Sequence, residues 1–136
     1  MSKKSHSWLK LTQVIASIEL KLSKVLQAKH GLGLSEYRAL EILSRSPDSE
    51  MRMQELASYL GLNQSSVSRM VERLERDEST VRDLCPDDKR GIYTVLTDKG
   101  RARLRNAQVD YEEALNIALK EYDCESLLLM EFVNKP

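Results

Sequence analysis

One stretch limits the folds open to this chain more than any other: MQELASYLGLNQSSVSRMVERLER, residues 53–76. Leu56, Ala57 and Leu60 put an apolar stripe on a short amphipathic helix. Gly61 offers a stop, because glycine readily takes the left-handed conformation that ends many helices. Asn63 can cap the next helix with its side-chain oxygen. In that second helix Val67, Met70, Val71 and Leu74 share one face, and helical periodicity puts Ser65, Ser68, Arg69, Glu72, Arg73 and Arg76 opposite them. Ala57, Gly61 and Val67 stand at offsets 0, +4 and +10. A small residue lets two helices cross closely, the glycine makes the tight turn, and the valine anchors the second helix to the core. This is helix-turn-helix spacing, in which a second helix enters a DNA major groove. The same spacing also fits a plain helical hairpin that binds nothing.

The flanks supply more helix and one pair of strands. Trp8, Leu11, Ile15, Ile18, Leu22 and Val25 recur at steps of three and four, a seam that packs against another long helix, in this chain or in a partner. His30-Gly31-Leu32-Gly33 ends that helix. Ser35 is the expected cap of the next one, with Leu40, Ile42 and Leu43 as its apolar part. Residues 45–49 read as a turn-rich break. After the helix-turn-helix, Thr80 to Leu84 and Ile92 to Leu96 read as strands, joined by the charged turn CPDDKRG. Thr97 caps a last long helix, with Asp98 where the dipole favours an anion. Leu104, Ala107, Tyr111, Leu115, Ala118 and Tyr122 mark its apolar side, and Glu125 to Val133 reads as a short closing helix. The expected fold is mainly α with a small β-hairpin, a winged helix in outline.

A chain of 136 residues suffices for one compact domain with a core. It holds no run of about 18 apolar residues, so no membrane-spanning helix is expected. No secretory signal follows Lys3 and Lys4, and Cys85 and Cys124 do not make a disulfide scaffold; a cytoplasmic protein is expected. The formal charge is zero, but unevenly spread. Residues 1–30 hold six lysines against one acid, and residues 106–136 hold seven acids against two lysines. Opposite signs suit ends that pack together, though two unrelated solvated faces give the same pattern. Residues 63–90 hold six basic and seven acidic side chains, so the placement of charge, not its sum, must support any DNA contact. His6 and His30 lack the clustered spacing of a metal site, and Cys85 lies near both basic and acidic neighbours, so neither metal nor redox chemistry is indicated. No cofactor loop and no nucleophile setting appear, so catalysis has no sequence support.

Several spaced pieces in one order resemble the MarR family of bacterial winged helix-turn-helix regulators. They are ELASYLGLNQSSVSRMVERLE (55–75), Arg82, DKR (88–90) and VLTDKG (95–100). The resemblance implies a DNA-binding region over 35–100, flanked by dimerisation helices over 1–34 and 101–136. It implies a homodimeric repressor on a double-stranded, pseudo-palindromic operator. Asn63, Gln64, Ser65, Ser66, Ser68, Arg69 and Arg73 would serve the major groove. At the wing, Arg90 would enter the minor groove, braced by Asp88, with Lys89 facing phosphate. A small aromatic effector would act from a cleft near Trp8, Leu11, Ile15 and Tyr37. Two departures stand out. Lys89 replaces the usual middle arginine and loses the planar fork. DEST (77–80) replaces the usual glycine and two apolar residues from position 78 on, and glutamate tolerates a left-handed turn poorly. The balanced charge and that turn favour a second reading, a winged-helix module that binds protein instead of DNA.

Overall fold

Residues 2–84 and 92–122 are described by the computed structural model. The cysteines, the wing tip with Asp88, Lys89 and Arg90, and the expected helix over 125–133 lie outside the described residues.

Helix α1 runs Lys3–His30, capped by Ser2, whose side chain accepts the Ser5 N–H. Gly31 ends it at φ 61°, the left-handed cap expected of a glycine there. Helix α2 follows at Leu34–Arg45. Its cap is Gly33, not Ser35, which lies inside the first turn. The reason is Glu36, whose Oε1 reaches back to accept the Gly33 N–H at 3.3 Å, half of a capping box.

The break after α2 is also more ordered than its turn residues suggest. A 3-10 turn, Pro47–Ser49, leads into a strand β1, Glu50–Arg52. β1 pairs antiparallel with β3 (Ile92–Leu96), Met51 opposite Thr94, and β3 pairs on its other side with β2 (Thr80–Leu84), Val81 opposite Val95. The sheet is therefore three strands in order β1-β3-β2, not a bare hairpin. Three residues carry no alternation a reader could use, and their strand state comes from a partner some 40 positions away.

Between β1 and β2 lie α3 (Met53–Leu60) and α4 (Gln64–Arg76). Helix α5 (Asp98–Glu121) closes the described chain, its cap Thr97 accepting the Gly100 N–H at 2.9 Å. The main core joins Leu26, Leu32, Tyr37, Leu40, Leu43, Leu56, Val67, Met70, Val71, Leu74, Leu96 and Leu104, so it ties α3 and α4 to α2, the sheet and the start of α5. A second cluster lies between α1 and α5, where Ile18, Leu22 and Ala118 are buried against Val14, Leu115 and Tyr122.

The opposite-sign ends do pack together within one chain. Lys21 pairs with Glu121, and Lys29 and His30 both face Asp110, the His30 Nε2 at 2.6 Å. The His30 contact, helped by Lys29, holds the Asp110 carboxyl below its usual range, and the Glu121 hydrogen bond raises Lys21. Among the described residues the first half of α1 has no such ion pair, and Trp8 and Ile15 are exposed, as are Val109 and Ile117 on α5.

Candidate nucleic-acid interface

Among the described helices α4 is the most strongly two-faced. Val67, Met70, Val71 and Leu74 are buried, while Gln64, Ser65, Arg69, Glu72, Arg73 and Arg76 are exposed. Gly61 makes the turn before it at φ 65°, and the Leu62 N–H returns to the Ala57 carbonyl at 3.1 Å. Asn63 caps α4 by accepting the Ser66 N–H at 2.9 Å. The N–H groups of Gln64 and Ser65 have no partner among the described residues and stand at the positive end of the helix dipole, a position that favours an anion such as phosphate. Ser66 and Ser68 are half-buried at the flank of this surface.

The arginines divide into two sets. Arg69 and Arg76 make no ion pair among the described residues, and Arg69 donates only a long 3.4 Å bond to its own helix at Ser65. Arg73 turns towards α2, its Nε 3.5 Å from Glu36 Oε1, although half its side chain is exposed. Arg82 on β2 donates to Glu75 at 2.7 Å, which fastens the wing's first strand to α4. Of the two arginines expected along the groove, the geometry leaves Arg69 available and engages Arg73.

The DEST turn is built on a left-handed residue after all. Glu78 takes it, at φ 62°, where glycine would be unstrained. The turn is clamped onto α5: the Thr97 hydroxyl is shared between the carbonyls of Glu78 (2.7 Å) and Ser79 (3.0 Å), and the Thr97 N–H donates to Ser79. Gly100 permits the approach. A Cβ there would lie 2.1 Å from the Ser79 carbonyl oxygen.

The four residues expected near an effector cleft do not come together. Trp8 and Leu11 border an open surface depression with Lys3, Lys4, His6 and Ser7, and Ile15 is exposed further along α1. Tyr37 is fully enclosed, its ring stacked on Tyr111 at 4.3 Å, and burial raises the pKa of both phenols. Among the described residues no group of three or more His, Cys, Asp or Glu could hold a metal ion, and no helix is long and apolar enough to cross a membrane.

A family model described as MarR family matches residues 30–91, the region from the end of α1 to just before β3. The chain is 30% identical over 110 residues to the homoprotocatechuate degradative operon repressor of Escherichia coli, covering 77% of this chain and 73% of that protein. The chain belongs to the MarR family. It is also similar to Sco3205, a MarR family transcriptional regulator of Streptomyces coelicolor crystallised in complex with DNA: 31% identity, 89% of this chain and 76% of that one, TM-score 0.81. A further relative, the HTH-type transcriptional regulator YkoM of Bacillus subtilis, is 38% identical over 77 residues, 56% of this chain. The match spans about half of YkoM's length. Two residues of this MarR-family site escaped the sequence reading. Glu36 holds Arg73, and Arg103 reaches the end of α4 from α5. Neither stands in a motif; the only signal for Arg103 is its three-residue step beyond Thr97 and Gly100.

Proposed function

We propose that this chain is a sequence-specific DNA-binding transcriptional regulator, a repressor that acts in the cytoplasm as a homodimer on a pseudo-palindromic operator. The observation that carries the reading is α4 itself, which presents its N-terminus, Ser65 and Arg69, an arginine with no ion pair among the described residues, on one exposed face. Family membership and the likeness to a regulator crystallised with DNA support it. The repressor's role is supported by the name of the Escherichia coli relative. Exposed Trp8, Leu9, Ile15 and Ile117 on α1 and α5 support a second copy packing there, since several large apolar side chains on one helix pair are costly to leave in water. In this reading Gln64, Ser65 and Arg69 face bases and phosphates, Asn63, Ser66 and Ser68 shape the entry, and Lys89 and Arg90 of the wing, with Asp88 beside them, face the adjacent backbone. A small aromatic effector would release the dimer from a site completed by the second chain, because one chain leaves Trp8, Leu11 and Ile15 in the open and Tyr37 sealed.

The reading is tested by titrating the protein against the duplex upstream of its own gene at several salt concentrations. Binding weakens as salt rises, by about 0.9 in log affinity per log salt for each phosphate neutralised. Arg69→Ala costs roughly 1–3 kcal/mol and relaxes the preference at one base. The competing protein-interaction module is favoured by the arginines already held in ion pairs, Arg73 and Arg82. It predicts no salt-sensitive duplex binding at all.

A further inference from the structure

Two helix C-termini converge on one side chain. Arg103 stands in the second turn of α5, with about a fifth of its side chain exposed. Its Nη2 donates to the carbonyls of His30 (3.2 Å) and Gly31 (3.1 Å), which lie at the left-handed end of α1. Its Nη1 donates to Asp77 Oδ2 (3.3 Å), the C-terminal cap of α4, and to the Oγ of fully buried Ser79 (3.2 Å). Helix ends leave carbonyls without partners and carry partial negative charge, so a cation placed between two of them is stabilised by both. The planar guanidinium can donate in two directions at once, which an ammonium on a flexible stem does poorly. The α1 end is held a second time two turns along α5, where Asp110 meets the His30 ring.

We propose that Arg103 is a positioning residue: it ties the end of α1 to the end of α4, and so fixes the attitude of the recognition helix relative to the α1–α5 pair. The proposal rests on the DNA-binding reading for its consequence, though the clamp itself can be measured without DNA. With α4 fixed, two copies joined through α1 and α5 would present their recognition helices at a set separation. With Arg103 removed, α4 keeps its buried face but loses its tether to α1.

The test has two arms, each comparing the wild type with Arg103→Gln, Arg103→Lys and Asp77→Asn. The first is amide hydrogen exchange. In Arg103→Gln, protection falls together at Leu32, beyond the end of α1, and at Ser79 and Thr97, where the DEST turn meets α5, while Val71 in the core is unchanged. The second is the ratio of affinities for a duplex that the wild type selects from a random library and for a scrambled duplex. A purely stabilising side chain would lower the active fraction equally for both and leave that ratio alone. A positioning residue lowers the ratio, by roughly tenfold in the Gln and Lys variants, and less in Asp77→Asn, which keeps the Ser79 bond. An unchanged ratio, a full rescue by lysine, or protection lost at one end only overturns the clamp. If the wild type selects no duplex, the regulator reading fails and exchange alone decides: joint loss at both ends upholds the tether, and loss at one end refutes it.

Discussion

Replacing Glu78 by glycine should stabilise this protein, although glycine usually weakens a fold. Glu78 sits at φ 62°, and its side chain is exposed. The contacts that hold the turn there are main-chain ones: its N–H donates to the Glu75 carbonyl at 3.0 Å and its own carbonyl accepts from Thr97 at 2.7 Å. Glycine keeps both. The left-handed conformation costs an L-residue roughly 1–2 kcal/mol. Against this, glycine has more freedom to lose on folding, about 0.5–1 kcal/mol. The net gain is about 0.5–1 kcal/mol. An unfolding entropy near 2.1 cal/mol/K per residue amounts to about 0.29 kcal/mol/K for a chain of this length, so the melting temperature rises by about 2–4 °C. The assay is a thermal melt at fixed protomer concentration, since self-association shifts the midpoint. Glu78→Ala is the control: it removes the charge beside Glu75 and Asp77 but retains the backbone cost, and should stay within about 0.5 kcal/mol of the wild type. A lower midpoint for glycine refutes the strain argument. An equal rise for alanine assigns the gain to charge instead of backbone.

Gly100→Ala should do the reverse, because its Cβ would meet the Ser79 carbonyl at 2.1 Å and Leu96 Cδ1 at 2.9 Å; a loss of about 3 kcal/mol is expected in the urea midpoint, and a loss under 1 would mean the turn can move freely away from α5. Asp110 provides a pH test. Its carboxyl is held low by His30, so the pair's contribution is present above the unfolded value of about 3.9 and is lost as pH falls through the lower folded value. The gap in melting temperature between wild type and Asp110→Asn should therefore narrow below about pH 4, and a gap that widens there contradicts the assignment. Glu36→Gln should free Arg73 while keeping an acceptor for the Gly33 N–H. Duplex binding then tightens at low salt and the salt slope steepens by about 0.9 per protomer; an unchanged slope shows that Arg73 already reaches phosphate in the wild type.

Much of this architecture was legible because it rests on local chemistry. Gly31 and Gly61 end helices where their lack of a Cβ makes the left-handed turn cheap, and Asn63 and Thr97 cap because a short oxygen-bearing side chain suits that geometry. The buried face of α4 follows from a 3.6-residue period that Val67, Met70, Val71 and Leu74 obey. What could not be read depends on distant partners. Strand β1 exists because β3 offers a free edge to Glu50, Met51 and Arg52. The Ser35 expectation fails for a local reason, because Glu36 at the third helical position reaches back to the Gly33 N–H and sets the helix start two residues earlier. The family resemblance puts Tyr37 near an effector cleft; in this chain it is buried, its ring stacked on Tyr111, 74 residues further along.

Part of the uneven charge has a structural account. Two of the six lysines of α1 are matched against acids of α5, Lys21 with Glu121 and Lys29 with Asp110. Around α4 three further arginines have carboxylates of their own: Arg73 with Glu36, Arg82 with Glu75, Arg103 with Asp77. Exposed pairs of this kind contribute little to stability, about 0–1 kcal/mol each, so their value lies in where they hold the guanidinium groups. Arg82 fastens the wing strand to α4, Arg103 fastens α4 to α1, and Arg73, half exposed, leans on a carboxylate that is itself mostly buried. Arg69 and Arg76 are left without such partners among the described residues. A surface organised this way would hold non-specific DNA weakly, because few of the described cations around α4 are free to release counterions. Specific binding would then depend on the fit of Ser65 and Arg69 to base edges, which makes the attitude of α4, and hence Arg103, more consequential than the count of positive charges.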